Sequence, residues 1–382
     1  MTLRRSLTTL FIGICSLAIV LTLSITVFAD QHLSEEKPMV WTAENSDPNT
    51  LGWMQGAPPP PDKIIRFEDN SFAQFPQWRW TVCHFQQLMP TKAVSRGLSS
   101  VSPLAIAEVP GIDEVSFVPL GASEPMTWQQ SLAANFTDGI VVMHHGRMVY
   151  ETYAGCLAPT KRHGAMSMTK SFVGLLGEML VDEGLLDDSQ LVRDYIPELA
   201  DSAFGDATVR QVMDMTTGLQ YSEDYADPDA EVWQHAAAGN PLPKPADYTG
   251  PRTYFEFLQT VQKQGEHGVS FAYKTINTDV LGWLISRVTG QPVTNVLSEK
   301  VWSKLGADMG AYMSVDSIGT PFAGGGLSAG LRDMARFGQM MLEDGKVGDE
   351  EVVPLAVINS IRGGGSRRAF ADAGYALLEG WS

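Results

Sequence analysis

The stretch from Ser167 to Leu186 constrains the fold more than any other part of the chain. Phe172, Leu175, Leu176, Met179 and Leu180 recur at helical spacing, with Gly174 and Gly177 between them to let neighbours come close. A helix this apolar is stable only when other layers enclose it, so the rest of the chain must fold around it. With 382 residues, 44% of them apolar and 19% charged, there is material for such a core in one large domain or two closely packed ones.

Upstream, Asp138 to Ala154 reads as a β-hairpin: the apolar run Ile140 to Met143, a turn at His145-Gly146, then Met148-Val149-Tyr150. His144 and His145 are strand-end and turn residues in this reading, not ligands. Met39 to about Gly97 is rich in Pro and Trp, has no sustained period, and is expected to wrap over the main domain. Between residues 187 and 300 several shorter helical patterns alternate with acidic, Pro-rich or Gly-rich stretches. One of these, Tyr221 to Pro251, is long enough to be a lid or binding loop. Another helix is expected over Leu331 to Leu342, and the tail from Ala369 to Ser382 looks like the start of a strand.

Arg4 and Arg5 precede an apolar run from about Leu10 to Phe28 that ends in Val27-Phe28-Ala29, which is the pattern of an export signal cleaved before Asp30. The run is long for a signal, so a second reading is an uncleaved anchor with residues 10–28 in the membrane. Either way the rest of the chain is expected outside the cytoplasm, periplasmic or membrane-anchored. Cys15 lies in this segment, leaving Cys83 and Cys156, which could pair or remain two buried thiols. No CxxC or HExxH occurs, and neither a metal nor another cofactor is expected. The formal net charge of −17, from 27 Lys+Arg and 44 Asp+Glu, repels polyanions and excludes nucleic acid as the expected partner.

The chemistry sits at the start of the apolar helix. Ser167-Met168-Thr169-Lys170 puts a hydroxyl and an amine on one face, since residues three apart are neighbours across a helical turn. A serine hydroxyl is a weak nucleophile until a neighbour takes its proton, and a lysine with its ordinary pKa of about 10 cannot do that at neutral pH. Burial or a second proton-sharing group is therefore needed. The spacing alone is weak, since roughly one or two such matches arise by chance in a chain of this length. Ser34 to Lys37 is one, in a charged segment with no helix to bury its lysine. At Ser167 the bland alternative is a capping serine followed by a solvated lysine, which the apolar surroundings disfavour.

Tyr273 supports the functional reading. It stands at a loop-to-helix junction before Val280 to Ile285, and a phenol can both give and accept a proton. Ser167, Lys170 and Tyr273 are thus the catalytic candidates, with Thr275, Tyr221 and Tyr225 as substrate-binding candidates. The aromatics of the 221–251 segment could equally anchor that loop. A rival motif, Gly326-Leu327-Ser328-Ala329-Gly330, fits a GxSxG nucleophile elbow, but Pro321 and three glycines precede it and no histidine follows His267. Ser328 is expected in a glycine-rich turn.

Together these residues resemble the serine β-lactamase and penicillin-recognising superfamily, in particular its branch of class C β-lactamases, related esterases and 6-aminohexanoate-dimer hydrolases. The resemblance runs from about Phe136 onward. His163 to Phe172, Val212 to Leu219, Tyr273-Lys274-Thr275 and Gly325 to Phe337 carry it. It implies an α+β fold, an antiparallel sheet flanked by helices and joined to an all-helical region, with the site between them and an acyl-enzyme on Ser167. On this basis residues 1–29 are the signal or anchor, 30–110 an extension and 111–382 the hydrolase domain, with its helical region at about 190–320.

Two departures from the family pattern shape the functional expectation. Class C β-lactamases carry Tyr-x-Asn, whereas here the third position is Thr275 and Asn277 lies two residues further on. That points to small esters or linear amides, with a β-lactamase or D-alanyl carboxypeptidase as the alternative. The family's Lys-Thr-Gly-like strand should follow Gly380-Trp381-Ser382, so the expectation is a domain truncated at its C-terminus, with a non-catalytic binding protein as the reading of another class. Lys346-Val347-Gly348 sits in an acidic turn and is not that strand.

Overall fold

The computed structural model describes residues 39–375; the export segment, Cys15, Ser34 to Lys37 and Gly380-Trp381-Ser382 lie outside the described residues. The chain divides into a unit ending at Trp41, of which only Met39–Trp41 are described, and a second from Thr42 to Ser382 that carries the fold. Among the described residues no helix is long and apolar enough to cross a membrane.

The main sheet has four strands in the order β1 (Thr91–Val94), β4 (Ala311–Ser314), β5 (Leu327–Gly330) and the short strand Arg162–Gly164, all antiparallel. Thr91–Val94, within the stretch read as an extension, is thus an edge strand of this sheet. The expected hairpin forms from β2 (Gly139–His144) and β3 (Arg147–Tyr153), with Ala105–Ile106 adding a short parallel pairing beside it. His144 ends its strand and His145 takes a positive φ of 48° in the turn. Between Gly164 and Ala311 the regular elements of the described chain are helices, with only isolated bridges besides.

The central helix is α1 (Thr169–Asp182), preceded by a tight turn over Met166–Met168. Phe172, Leu175, Leu176 and Leu180 are buried, and the Phe172 ring lies 4.0 Å from that of Phe337 on the helix Leu331–Leu342. Gly177 faces α2 (Thr275–Thr289): a Cβ there would stand 3.1 Å from Leu281 and from Met213, so the two helices approach where the side chain is missing. Gly174 has no such neighbour. It faces a cleft of about 540 Å³, together with Ser171 and Glu178, so the helix is open on that side rather than enclosed all round.

Three sequence expectations are corrected. Ser328 is not in a turn: it is fully buried in strand β5, opposite Tyr312 on one side and Gly164 on the other. The last described residues, Arg367–Tyr375, are helical rather than extended, because Ser366 caps the turn and Phe370 packs on Phe271. Lys346–Val347 is one arm of a small hairpin with Glu350–Glu351.

The segment from Thr42 to Pro90 is a strap tied to the domain by an ion pair, a disulfide and backbone bonds such as that from the Gly164 amide to the Val82 carbonyl at 2.7 Å. Arg79, only 5% exposed, donates to Asp138 at 2.8 Å, and the same carboxylate stands 3.3 Å from His163. Cys83 and Cys156 form a disulfide that spans 73 residues, which decides the pairing left open by the sequence. Closing a loop of that length removes freedom mainly from the unfolded chain, so Cys83→Ser with Cys156→Ser should lower unfolding free energy by about 2–4 kcal/mol in urea titrations.

Candidate active site

Strand β5 builds the turn that carries Ser167. The Ala165 amide donates to the Leu327 carbonyl at 2.8 Å, and the Leu327 amide donates to Thr169 Oγ1 at 3.1 Å. One strand residue therefore fixes the chain two residues before Ser167 and two after it. Between these anchors Met166 is held at a φ of 47°, a conformation that side chains other than glycine adopt only when the surroundings impose it. Gly164 permits the approach below: a Cβ there would come 2.8 Å from the Phe85 ring and 2.9 Å from the Met166 methyl.

One helical turn on, Lys170 Nζ stands 3.2 Å from Ser167 Oγ and donates to the Gly324 carbonyl at 2.6 Å. Gly324 is itself pinned, its amide donating to Asp279 Oδ1 at 2.9 Å. Lys170 Nζ also lies 5.0 Å from the centre of the Tyr273 ring. The three catalytic candidates are thus brought together, with the amine in reach of the serine hydroxyl and the half-exposed tyrosine ring beneath the amine. The 3.2 Å contact between Lys170 and Ser167 is of the kind proton transfer requires, whereas Tyr273 meets the amine through its ring face.

The substrate-binding candidates part company. Thr275 and Tyr225 both line a cavity of about 400 Å³ that opens on Ser167. Thr275 is oriented by Glu223, whose carboxylate accepts from its amide and, at 3.1 Å, from its hydroxyl. Burial, and then the charge of Glu223, raises the Tyr225 phenol above its usual pKa. Tyr221 is placed elsewhere: it is buried behind the cavity, edge-on to His235 and Phe257, and burial raises its phenol strongly. Its apolar neighbours are better satisfied by a packed ring than by a solvated one. Tyr248 is likewise no part of the wall and donates to the Pro251 carbonyl at 3.1 Å. Asn277 is fully buried and accepts from Thr217 at 2.7 Å, so it cannot stand in for the asparagine of a Tyr-x-Asn motif. Lys274, whose pKa burial lowers, donates to the Leu219 carbonyl.

Sequence reasoning missed one wall of the cavity. Its far wall comes from the strap, with Phe67, Phe72, Trp78, Phe85 and Met89. Nothing periodic marks these residues, and only the density of Phe and Trp in a segment without a core of its own hinted at a use for them. Gly324 was also missed, because the signal lies in a backbone carbonyl. A Cβ at Gly324 would stand 2.3 Å from the Thr275 methyl, so Gly324→Ala must displace either Thr275 or the carbonyl that holds Lys170. Displacement of about 1 Å at a reacting group costs on the order of 100-fold. That loss is expected in kcat, read by steady-state kinetics on the folded variant.

Comparison with known proteins gives the family. Residues 130–381 match the Beta-lactamase family. The 6-aminohexanoate-dimer hydrolase of Paenarthrobacter ureafaciens is 38% identical over 308 residues, 80% of this chain and 75% of that protein. A solved Bacillus anthracis structure, provisionally named a 6-aminohexanoate-dimer hydrolase, superposes with a TM-score of 0.72 at 29% identity over 78% of each chain. The hydrolase EstCE1, described as having promiscuous acyltransferase activity, shares the fold at a TM-score of 0.50 and 16% identity, over 64% of this chain and 76% of its own. The chain belongs to the β-lactamase family, and it is a serine hydrolase.

Proposed function

We propose that Ser167 is the nucleophile and that the enzyme cleaves small esters or linear amides. The observation that carries this is the Lys170 amine 3.2 Å from the Ser167 hydroxyl at the mouth of a largely apolar cavity. In the reaction Ser167 Oγ bonds to the substrate carbonyl carbon while its proton passes to Lys170. Collapse of the tetrahedral adduct breaks the bond to the alcohol or amine, which leaves with that proton, Tyr273 serving as relay. Water then attacks the acyl-enzyme, transfers a proton back through the same groups, and frees Ser167 and the acid.

Thr275 at the third position of Tyr-Lys-Thr, with Asn277 turned into the core, favours open-chain substrates over β-lactams. The names of the two 6-aminohexanoate-dimer hydrolase relatives support the linear-amide arm of the proposal. The test is turnover of short-chain p-nitrophenyl esters, linear anilides and nitrocefin by the purified protein. Ester or anilide hydrolysis at a higher kcat/KM than nitrocefin is expected. Preference for nitrocefin would move the enzyme to the β-lactamase alternative.

The enzyme is also proposed to work outside the cytoplasm, as the basic-apolar N-terminus suggests; the Cys83–Cys156 disulfide, a bond that persists in oxidising compartments, supports this. N-terminal sequencing of protein from the extracytoplasmic fraction should start at Asp30 or retain residues 10–28 as an anchor. Recovery in the cytoplasm with both thiols reduced would overturn this placement.

A further inference from the structure

We infer that Asp279, backed by His235, is the positioning residue for Lys170: it fixes the Gly324 carbonyl that keeps the amine against Ser167. This rests on the Ser167 hydrolase reading above.

The need for such a residue follows from where the amine is held. Lys170 Nζ donates to the Ser167 hydroxyl at 3.2 Å and to the Gly324 carbonyl at 2.6 Å. Gly324 is the first of three consecutive glycines, and glycine has the widest backbone freedom of any residue. The direction of its carbonyl therefore depends on what holds the turn at either end. Downstream, the Gly326 carbonyl accepts from the Ser314 amide at 3.0 Å. Upstream, the hold comes from α2, where Thr275, Asp279 and Gly282 share one face at helical spacing. A Cβ at Gly282 would stand 2.6 Å from that of Ala323, and a Cβ at Gly324 would stand 2.3 Å from the Thr275 methyl. Between these two close approaches Asp279 Oδ1 accepts from the Gly324 amide at 2.9 Å.

The group that makes this bond is out of water. Asp279 is 4% exposed and His235 3%, and Asp279 Oδ2 stands 3.0 Å from His235 Nε2. The imidazole is packed among the rings of Tyr254, Phe257 and Phe322, with centres 5.1, 5.2 and 5.7 Å away. Burying a carboxylate beside an imidazole is costly, and apolar residues of similar volume often fill such a place without loss of stability. What an apolar filling does not supply is an acceptor for the Gly324 amide. With one oxygen on that amide and the other against His235, the carboxylate is held from both sides, and the turn that carries the carbonyl is held with it.

The test compares variants of the purified protein, each checked for folding by urea titration, in steady-state turnover of a p-nitrophenyl ester. Asp279→Asn keeps an oxygen for the Gly324 amide and should hold kcat within about fivefold of the wild type. His235→Phe together with Asp279→Leu fills the space with apolar groups and removes the acceptor. That double variant should lose about 100-fold in kcat, with KM changed by less than about tenfold. Asp279→Ala makes the same comparison with the His235 ring in place, and decides the matter if the double variant does not fold. Repeating the substitutions in Lys170→Met separates positioning from general damage, because with the amine already gone each should cost less than about threefold. A kcat that stays within about threefold of the wild type once the acceptor is removed would overturn the inference. So would an equal loss with and without Lys170, or a loss in Asp279→Asn as deep as in Asp279→Ala. Absence of wild-type turnover on esters and anilides, together with no covalent adduct on Ser167, would instead overturn the hydrolase reading itself.

Discussion

Ser167→Ala is expected to abolish the covalent adduct that a fluorophosphonate probe forms on the intact protein, and to lower kcat/KM for esters by about 10⁴-fold or more. The size of the effect follows from the chemistry. With the hydroxyl gone no acyl-enzyme can form, and only the residual contribution of binding and of fixed dipoles remains. The second serine that matches a nucleophile motif provides the contrast. Ser328 is fully buried in strand β5 between Tyr312 and Gly164, where neither a substrate nor the probe can reach it. Ser328→Ala should label as the wild type does, and an adduct that survives in Ser167→Ala would sink the nucleophile assignment.

Lys170→Met should lower kcat by about 10³-fold while KM changes by less than tenfold. The amine reaches Ser167 Oγ and the Gly324 carbonyl but is no part of the cavity wall, so its loss removes proton transfer and leaves the binding surface in place. Methionine keeps the length of the chain and its packing under Tyr273. Lys170→Arg separates two roles for the residue: it preserves a positive charge beside Ser167 but cannot give up its proton in the working pH range. If Lys170 acts as the base, arginine should be nearly as poor as methionine in steady-state kinetics. Recovery of most of the activity by arginine would make Lys170 an electrostatic anchor instead.

The central helix, the hairpin and the helix that follows Tyr273 were all evident from local pattern, because each is specified by residues close together in the chain. Phe172, Leu175 and Leu176 announce a buried helical face wherever they stand, and Ile140 to Tyr150 announces a strand pair with its turn. The pairing of Ser167 with Lys170 belongs to the same kind, since three residues along a helix set the separation. Gly174 shows the limit of the pattern: the same residue type at similar spacing serves close packing at Gly177 and borders an open cleft at Gly174. Ser328 shows another limit, for a short run of small residues after a glycine cluster reads as a turn, yet its partners Tyr312 and Gly164 make it the middle of a sheet.

The turn that carries Ser167, its spacing to Lys170 and the family motifs were therefore set by short-range sequence order, through helical periodicity and a few motifs. The tertiary structure decided the rest, because those features depend on residues far apart in the chain. The Gly324 carbonyl reaches Lys170 across 154 positions, and Leu327 clamps Thr169 across 158. Cys83 meets Cys156 across 73 residues. The aromatic wall from Phe67 to Phe85 reaches the cavity from a strap that this bond, the buried Arg79–Asp138 pair and the Gly164–Val82 backbone bond hold against the domain. No local propensity encodes such contacts, since each exists only once the chain has closed the loop between its two ends.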